Sequence, residues 1–144
     1  MNCDNILLGL SSSLVLLWFG HLLITEREKK RAFKAAQELF REAFMPEIRI
    51  LSPEVESIGT HFNMFNYMSD MGNRHLTAII KIEPFLKPSK RTTLRSKLNE
   101  YQRYIQGFPG WFDRDGFYKE EERIIQGKKR AFQAINDIVN FVEG

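Results

Sequence analysis

The chain has 144 residues, of which 43% are hydrophobic and 12% aromatic, which is enough apolar bulk for one small folded domain and excludes a largely disordered chain. Its single cysteine, Cys3, excludes an intramolecular disulfide and is typical of a reducing compartment. The formal net charge is +3, but the segment Glu26–Lys34 alone carries a net +3, so the basic balance does not by itself indicate a nucleic-acid-binding protein.

The N-terminal segment is apolar enough to cross a membrane. After a short tail of residues 1–4, the 21 residues from Asn5 to Thr25 include no charged side chain. At about 1.5 Å of rise per residue, a helix of this length covers roughly 30 Å, the thickness of the hydrocarbon core. A cleaved signal peptide would carry basic residues before the apolar run, whereas the only charged side chain there is Asp4. We therefore predict one uncleaved transmembrane helix over residues 5–25.

A basic cluster directly after this segment predicts its orientation. Lys and Arg close to a span are retained on the cytoplasmic side, so we expect the N-terminus outside and the C-terminal domain in the cytoplasm, at the inner (plasma) membrane. The side chains expected beside the lipid headgroups, where anionic lipid attracts them, are Arg27, Lys29, Lys30, Arg31 and Lys34. The lipid bilayer is thus the first predicted partner.

A basic juxtamembrane helix is predicted over residues 26–45. Its apolar residues recur at three- and four-residue steps, as on one face of a helix, and they are Ala32, Phe33, Ala36, Leu39, Phe40, Ala43 and Phe44. Because the residue before a proline avoids helical geometry, we expect Pro46 to end this helix. The alternating residues Glu47–Leu51 indicate an extended segment, and Ser52 indicates the start of a short helical turn.

Two helices joined by a short polar connection are predicted next. Asn73 is a candidate cap for a helix that Pro84 closes, and Ser89 is a candidate cap for the helix after it. One face of that second helix carries Leu94, Leu98 and Tyr101. The two helices are expected to form a helical hairpin.

Two stretches of the chain resemble a family of uncharacterised bacterial single-pass membrane-anchored proteins. The first is Phe40–Glu47, which reads FREAFMPE. The second is a looser succession, namely His75, Ala78-Ile79, Pro84-Phe85-Leu86, Arg91, Leu98 and Tyr101. This chain departs from the family at Leu98-Asn99, where a tryptophan is common. The resemblance implies a bacterial origin and the helical hairpin, and it implies nothing about catalysis.

The C-terminal third is predicted to be a loop followed by an amphipathic helix. Gly107–Phe117 is rich in glycine, proline and aromatic residues, and we expect Trp111 and Phe112 to be exposed there as a candidate partner surface. The helix over Lys119–Val142 has its apolar residues on one face, and Gly127 weakens it near one end. Residues 46–144 should therefore form a small helical cytoplasmic domain, in a chain that is mainly α.

No metal site, cofactor or catalytic residue is predicted. The spacing of a calcium-binding loop is approached by Asp113, Asp115, Gly116 and Glu122. Trp111 occupies the first ligand position of such a loop, so a turn before the last helix is the preferred interpretation. His61 and His75 have no cysteine or acidic partner at zinc spacing. Recognisable catalytic signatures are lacking as well.

A second basic stretch lies in residues 87–97, where no acidic residue offsets the charge. Its members are Lys87, Lys90, Arg91, Arg95 and Lys97. Such a stretch can contact nucleic acid or anionic lipid. A solvated helix face explains it more simply, because charge runs are non-specific signals.

Three hypotheses for function follow. The preferred one is a non-enzymatic, membrane-tethered helical module that binds a partner protein or its own copies. The second is a membrane-bound enzyme or ligand-binding domain that uses His75 and nearby carboxylates such as Glu47 and Glu83, and a pocket with perturbed titratable groups would favour it. The third is nucleic-acid or anionic-lipid contact through residues 87–97.

Overall fold

The computed structural model describes the backbone of residues 3–59 and 63–144, and the side chains of residues 24–59 and 63–144. Four helices form it: α1 (Cys3–Leu51), α2 (Met64–Ile82), α3 (Pro88–Ile105) and α4 (Glu122–Glu143), with short 3-10 turns at Glu83–Phe85 and Phe108–Trp111. In the described residues, β-type pairing is confined to isolated bridges between Ser57 and Phe117 and between Phe112 and Tyr118. The prediction of a mainly α chain is confirmed.

The chain divides into two units, Met1–Ala35 and Ala36–Gly144, and α1 contributes to both. In the described part of the first unit, the basic side chains predicted to flank the membrane are all exposed. One of them, Lys29, lies 3.3 Å from the carboxylate of Glu26, in an exposed pair that contributes little to stability.

Wherever side chains are described, no helix combines the length and the apolar character that crossing a membrane requires. The span predicted over residues 5–25 lies almost entirely outside those residues, since the side chains of residues 1–23 are not among them.

The prediction that Pro46 ends the first helix is wrong, because α1 continues through it to Leu51. A proline inside a helix removes one backbone hydrogen bond and costs about 3 kcal/mol. Burial offsets that cost: Phe40, Phe44, Glu47 and Leu51 follow one another at steps of four, three and four residues and are all almost fully buried. An extended segment over residues 47–51 would turn Glu47 and Leu51 away from this stripe.

The second helix begins nine residues before the predicted cap, at Met64 rather than near Asn73. Asn63 is its N-cap, and its side chain accepts a hydrogen bond from the backbone N–H of Asn66 (3.1 Å). The buried stripe of α2 includes Met71 and His75, so the packing face extends past Asn73 towards the N-terminus. Asn63, which precedes the whole buried stripe, is therefore the N-cap rather than Asn73.

The predicted helical hairpin is formed by α2 and α3. Pro84 lies in the 3-10 turn between them, and α3 begins at Pro88, one residue before the predicted cap Ser89. The Tyr101 hydroxyl lies 4.0 Å from the sulfur of Met71, and Arg95 pairs with Glu83. Tyr101 lies later in α3 than Arg95, whereas its partner Met71 lies earlier in the chain than Glu83. The two helices therefore run antiparallel.

All four helices and the 3-10 turn at Phe108–Trp111 contribute buried side chains to the core of the second unit. Its most deeply buried large side chains include Phe40, Phe44, Leu94, Tyr101, Phe108, Ile135 and Ile138. The side-chain amide of Gln37 on α1 donates to the carbonyl of Val142 (2.7 Å) in the last turn of α4, so α1 also holds that helix end.

The expectation that Trp111 and Phe112 are exposed is wrong, because they are 7% and 8% exposed. Phe112 meets Phe108 edge-on, with ring centroids 5.2 Å apart. The Trp111 indole lies against two glycines: a Cβ at Gly107 would come within 2.6 Å of it, and one at Gly127 within 3.1 Å. Gly127, which weakens α4 locally, thus makes room for the indole.

The predicted turn before the last helix is a tight one over residues 113–117. One carboxylate oxygen of Asp113 accepts hydrogen bonds from the N–H groups of Asp115 and Phe117, both at 2.9 Å. Gly116 has φ +85°, and a Cβ there would lie 2.4 Å from the carbonyl oxygen of Ile58. Glycine is therefore required, and the calcium-like spacing is explained by turn chemistry. Within the described residues, no three His, Cys, Asp or Glu side chains are placed to hold a metal.

Candidate functional site

Two places in the second unit bring chemically active side chains together: a buried cluster around Glu47, and a surface groove beside Lys128. The Glu47 cluster consists of Glu47 on α1 with Tyr67, Arg74 and His75 on α2. Glu47 is fully buried and His75 nearly so, which is unusual for a carboxylate and an imidazole.

Both carboxylate oxygens of Glu47 have hydrogen-bond donors. Oε1 accepts from the Tyr67 hydroxyl (2.5 Å) and from the Arg74 guanidinium, and Oε2 lies 3.1 Å from Nε2 of His75. The His75 ring also stacks on Phe44, with ring centroids 3.9 Å apart and planes 16° apart. Since α1 and α2 supply all of these groups, the cluster joins the two helices.

The environment of Glu47 favours its ionised form. Burial acts to raise the pKa of Glu47, but hydrogen bonds from His75 and Tyr67, together with attraction to His75 and Arg74, outweigh it and hold the pKa below the ordinary value of 4.5. Burial and the adjacent Glu47 carboxylate raise the pKa of Tyr67 far above its ordinary range. The carboxylate is therefore charged, and the tyrosine is a neutral donor, at neutral pH.

This arrangement identifies the cluster as a structural ion-pair network. Glu47 has no surface that a ligand could reach, and its donors already occupy both oxygens. Of the residues considered for the second hypothesis, His75 and Glu47 do meet. Glu83 does not join them, since it pairs with Arg95 at the surface through contacts of 2.7 and 3.0 Å.

The groove lies between the turn that follows α1, the residue 113–120 segment and the first turns of α4. Its volume is about 950 Å³. Apolar side chains form most of it, namely Leu51, Pro53, Val55, Phe117, Tyr118, Ile124 and Ile125. Charged side chains of both signs line it as well, namely Glu56, Asp113, Lys119, Glu120, Lys128 and Lys129.

Lys128 has an unusual environment within this groove. Its ammonium lies 3.7 Å from the centroid of the Tyr118 ring and donates to the carbonyl of Val55 (2.6 Å). The Tyr118 hydroxyl in turn donates to the carbonyl of Ile50 (2.5 Å). Burial lowers the pKa of Lys128 and raises that of Tyr118. These contacts hold the groove wall together across three segments of the chain.

Phe117 and Ile125 supply the groove with exposed apolar surface. Each is about half exposed, and both line the same groove. Apolar walls with a few placed charges are the composition of binding sites for ligands or peptide segments. The groove can therefore accept apolar groups and orient them through Lys128 and the neighbouring carboxylates.

The sequence contains one signal that points to this groove. Ile125 directly follows the buried Ile124 and lies off the stripe that α4 buries, so the sequence places an apolar side chain on a face of α4 outside the core. The groove itself could not be predicted, because its walls come from segments up to about seventy residues apart, such as Val55 and Lys128.

The basic stretch over residues 87–97 is divided among local contacts. Arg91 donates to the carbonyl of Leu86 (2.8 Å), and Arg95 pairs with Glu83. Lys90 and Lys97 both approach the ring of Phe141, at 5.6 and 5.9 Å. Lys87 is exposed at the N-cap position of α3. Four of the five basic side chains therefore contact neighbouring residues of the fold.

Comparisons with known protein families, with curated protein sequences and with solved structures find no match to this chain, so its function is inferred from its geometry.

Proposed function

We propose that this protein is a non-enzymatic module, tethered to the inner membrane by residues 5–25, that binds a segment of a partner protein in the groove beside Lys128. The observation that carries the proposal is the groove of about 950 Å³ with Phe117 and Ile125 half exposed on it. Contiguous exposed apolar surface with polar edges is typical of protein-interaction sites.

The proposed tether is supported by the uncharged run from Asn5 to Thr25 and by the basic residues that follow it. The run has the length that the hydrocarbon core requires, and the basic residues favour a cytoplasmic C-terminal domain. The basic side chains Arg27, Lys29, Lys30, Arg31 and Lys34 are exposed, as contact with anionic headgroups requires.

Binding rather than catalysis is supported by the two clusters of titratable groups. The Glu47 carboxylate is enclosed and fully hydrogen-bonded. Lys128 is held by the Val55 carbonyl and the Tyr118 ring, so its ammonium is fixed where it can orient a bound group. A partner segment with two neighbouring apolar side chains and a carboxylate would match Phe117, Ile125 and Lys128.

A small amphipathic ligand is the second candidate for the same groove. The volume of about 950 Å³ falls in the range of roughly 300–1,000 Å³ typical of small-molecule sites. Two titratable groups with shifted pKa values, Lys128 and Tyr118, also lie in it, as is common in ligand sites. A carboxylate on an apolar tail would satisfy both features.

The proposal is tested by capturing the tagged full-length protein from gently solubilised membranes, with Phe117→Glu and Ile125→Glu as groove variants. We expect the wild type to recover a stoichiometric protein and both variants to lose at least nine-tenths of it, because a buried carboxylate in the groove is unfavourable. Leu39→Glu is the matched control, since Leu39 is a similarly exposed apolar residue outside the groove.

Three outcomes distinguish the candidates. Loss of the captured protein in the two groove variants, but not in the control, supports a protein partner. If Leu39→Glu loses the partner equally, or if no variant changes its recovery, the groove does not bind that protein. Native mass spectrometry of the purified wild type reveals a small bound ligand as an added mass, and its disappearance in Phe117→Glu would favour the second candidate.

A further inference from the structure

The outward surface of α2 carries an apolar stripe that is largely exposed. Phe65 is 83% exposed, Leu76 58% and Ile80 63%. With the small residues Ser69 and Gly72, they recur at steps of four, three, four and four residues, which places all five on one side of the helix. We call these five residues the α2 outer face.

The α2 outer face differs in character from the outward surface of the neighbouring helix. Among the exposed residues of α2, only Asp70 and Lys81 are charged, and both line a groove beside α1 rather than the stripe. By contrast α3, which the structure describes throughout, exposes no large apolar side chain. A helix that is apolar on both sides is normally buried on both, and α2 already buries Met71, His75, Ala78 and Ile82 on the other side.

The α2 outer face is also close to palindromic along the helix. Phe65 and Ile80 lie at equal distances from a point between Gly72 and Asn73, and so do Ser69 and Leu76. An antiparallel second copy would therefore place Phe65 against Ile80 and Ser69 against Leu76, twice over. Such self-complementarity is what a two-fold interface requires.

Gly72 lies at the centre of this pattern and has open space in front of it. A Cβ added there would meet no atom within 4 Å. Glycine in the middle of a helix costs about 1 kcal/mol relative to alanine, and at a helix crossing it lets two backbones approach closely. The glycine thus lies where two antiparallel copies of α2 would be nearest to each other.

We propose that α2 pairs with α2 of a second copy of this chain, in an antiparallel arrangement about Gly72 and Asn73. An uncharged face pairs with itself without repulsion between like charges, although the chain as a whole carries a net +3. A lipid surface is a poorer occupant, because the exposed charges of α2 are one acidic and one basic side chain, Asp70 and Lys81, whereas membrane-binding helices have strongly basic polar faces.

The small size of the α2 outer face limits the affinity of the pairing. The stripe is about 22 Å long at roughly 1.5 Å per residue, and a single helix pair buries less than the roughly 800 Å² per partner of a standard stable interface. Pairing is therefore weak between free copies, and confinement in a membrane strengthens it by raising the effective concentration. Only this strengthening by the membrane depends on the proposed tether. The α2 outer face is separate from the groove.

Cross-linking of the full chain in native membranes tests the pairing. The Cys3→Ser background removes the only native cysteine, and Asn73→Cys adds one near the proposed two-fold axis. We expect a short bifunctional maleimide to join this variant into a dimer at least tenfold more efficiently than Asn99→Cys, which adds a cysteine at an exposed position of α3. Equal efficiency at the two sites would overturn the proposal.

A charge exchange then tests the antiparallel register. In the Asn73→Cys background, Phe65→Lys or Ile80→Glu alone should reduce dimer formation at least tenfold, and the two together should restore it. Within one copy these positions are about 22 Å apart, so only contact between copies can produce rescue. Dimers that resist both single changes, or that are not rescued by the double change, would refute the arrangement. A cross-linked product with the mass of a different protein would identify another occupant and would also refute it.

Failure of this proposal and failure of the proposed function are distinguishable. The groove variants are scored by the recovery of a partner protein, and the α2 variants by the dimer of this chain. A chain that forms the dimer but captures nothing retains the pairing and loses the groove, and the reverse result retains only the groove.

Discussion

The carboxylate of Glu47 is fully buried and therefore needs hydrogen-bond donors within the fold. Removing an ionised carboxylate from water is unfavourable by several kcal/mol unless donors replace the lost hydration. Tyr67, Arg74 and His75 supply those donors, and all three lie on α2. The position of α2 on α1 is therefore specified by the hydrogen bonds that one side chain needs, and apolar contacts alone would define it less sharply.

We expect Glu47→Gln to destabilise the second unit by about 3 kcal/mol, because removing one partner of a buried ion pair leaves the other insufficiently compensated. Urea denaturation of residues 35–144, followed by the fluorescence of Trp111, measures this change, since Trp111 is the only tryptophan in that fragment and is buried. Glu83→Gln removes an exposed ion pair with Arg95 and should change stability much less.

The same variant should also alter the dependence of stability on pH. Because the folded-state pKa of Glu47 lies below 4.5, its contribution is complete above about pH 4.5 and is lost as the pH falls further. The stability difference between wild type and Glu47→Gln should therefore shrink in acid. A difference that stays constant down to about pH 3 would show that Glu47 is not the ionised member of the cluster.

At the scale of elements, α1 shows how packing overrides a local signal. Pro46 is incompatible with the hydrogen bond that a helix would make to the carbonyl of Glu42, yet the helix continues for five residues beyond it. Glu47 and Leu51 gain buried partners only if it does. The burial of these two side chains outweighs the missing bond.

We expect Pro46→Ala to raise the free energy of unfolding by about 1–3 kcal/mol, because alanine restores the missing donor and favours the helix. Pro88→Ala is the control: Pro88 is the first residue of α3, where the absent N–H is not needed, so its replacement should be neutral or slightly unfavourable. Equal responses of the two prolines in urea denaturation would contradict this account of α1.

Local patterns predicted some elements well and others poorly, for identifiable reasons. The starts of α3 and α4 lie within three residues of the predicted ones, because the candidate cap Ser89 and the apolar stripe of α4 are strong local signals. The start of α2 was missed because two asparagines, Asn63 and Asn73, both suit a cap, and only the buried face decides between them. The meeting of Glu47 with His75 was not predictable, since packing alone joins residues 28 positions apart.

At the scale of the whole molecule, the proposed tether and the two proposed binding surfaces would together bring a partner protein and a second copy of this chain to one place on a membrane. The groove contains half-exposed apolar side chains beside charges of both signs, whereas the α2 outer face has no charge on it. Surfaces of such different character favour different partners. A partner segment in the groove and a second copy on α2 need not compete.

The proposed orientation predicts which side of the membrane exposes Cys3. With the N-terminus outside, a membrane-impermeant maleimide added to cells stripped of their outer envelope should modify Cys3, the only cysteine in the chain. The Cys3→Ser, Asn99→Cys variant should react only after the membrane is permeabilised. The opposite pattern, with position 99 labelled in sealed cells and Cys3 protected, would show that the chain is inserted the other way.

The hydrogen bond from Gln37 to Val142 has a consequence for how the second unit can be handled. Gln37 also lies 3.5 Å from the carbonyl of Glu143, and Arg41 lies 3.7 Å from the Glu143 carboxylate, so the first and last turns of this unit are neighbours. Domains with adjacent ends tolerate circular permutation and insertion into other proteins. We therefore expect residues 36–144 to tolerate circular permutation, in which a short linker joins residues 36 and 144 and new termini are introduced in a surface turn.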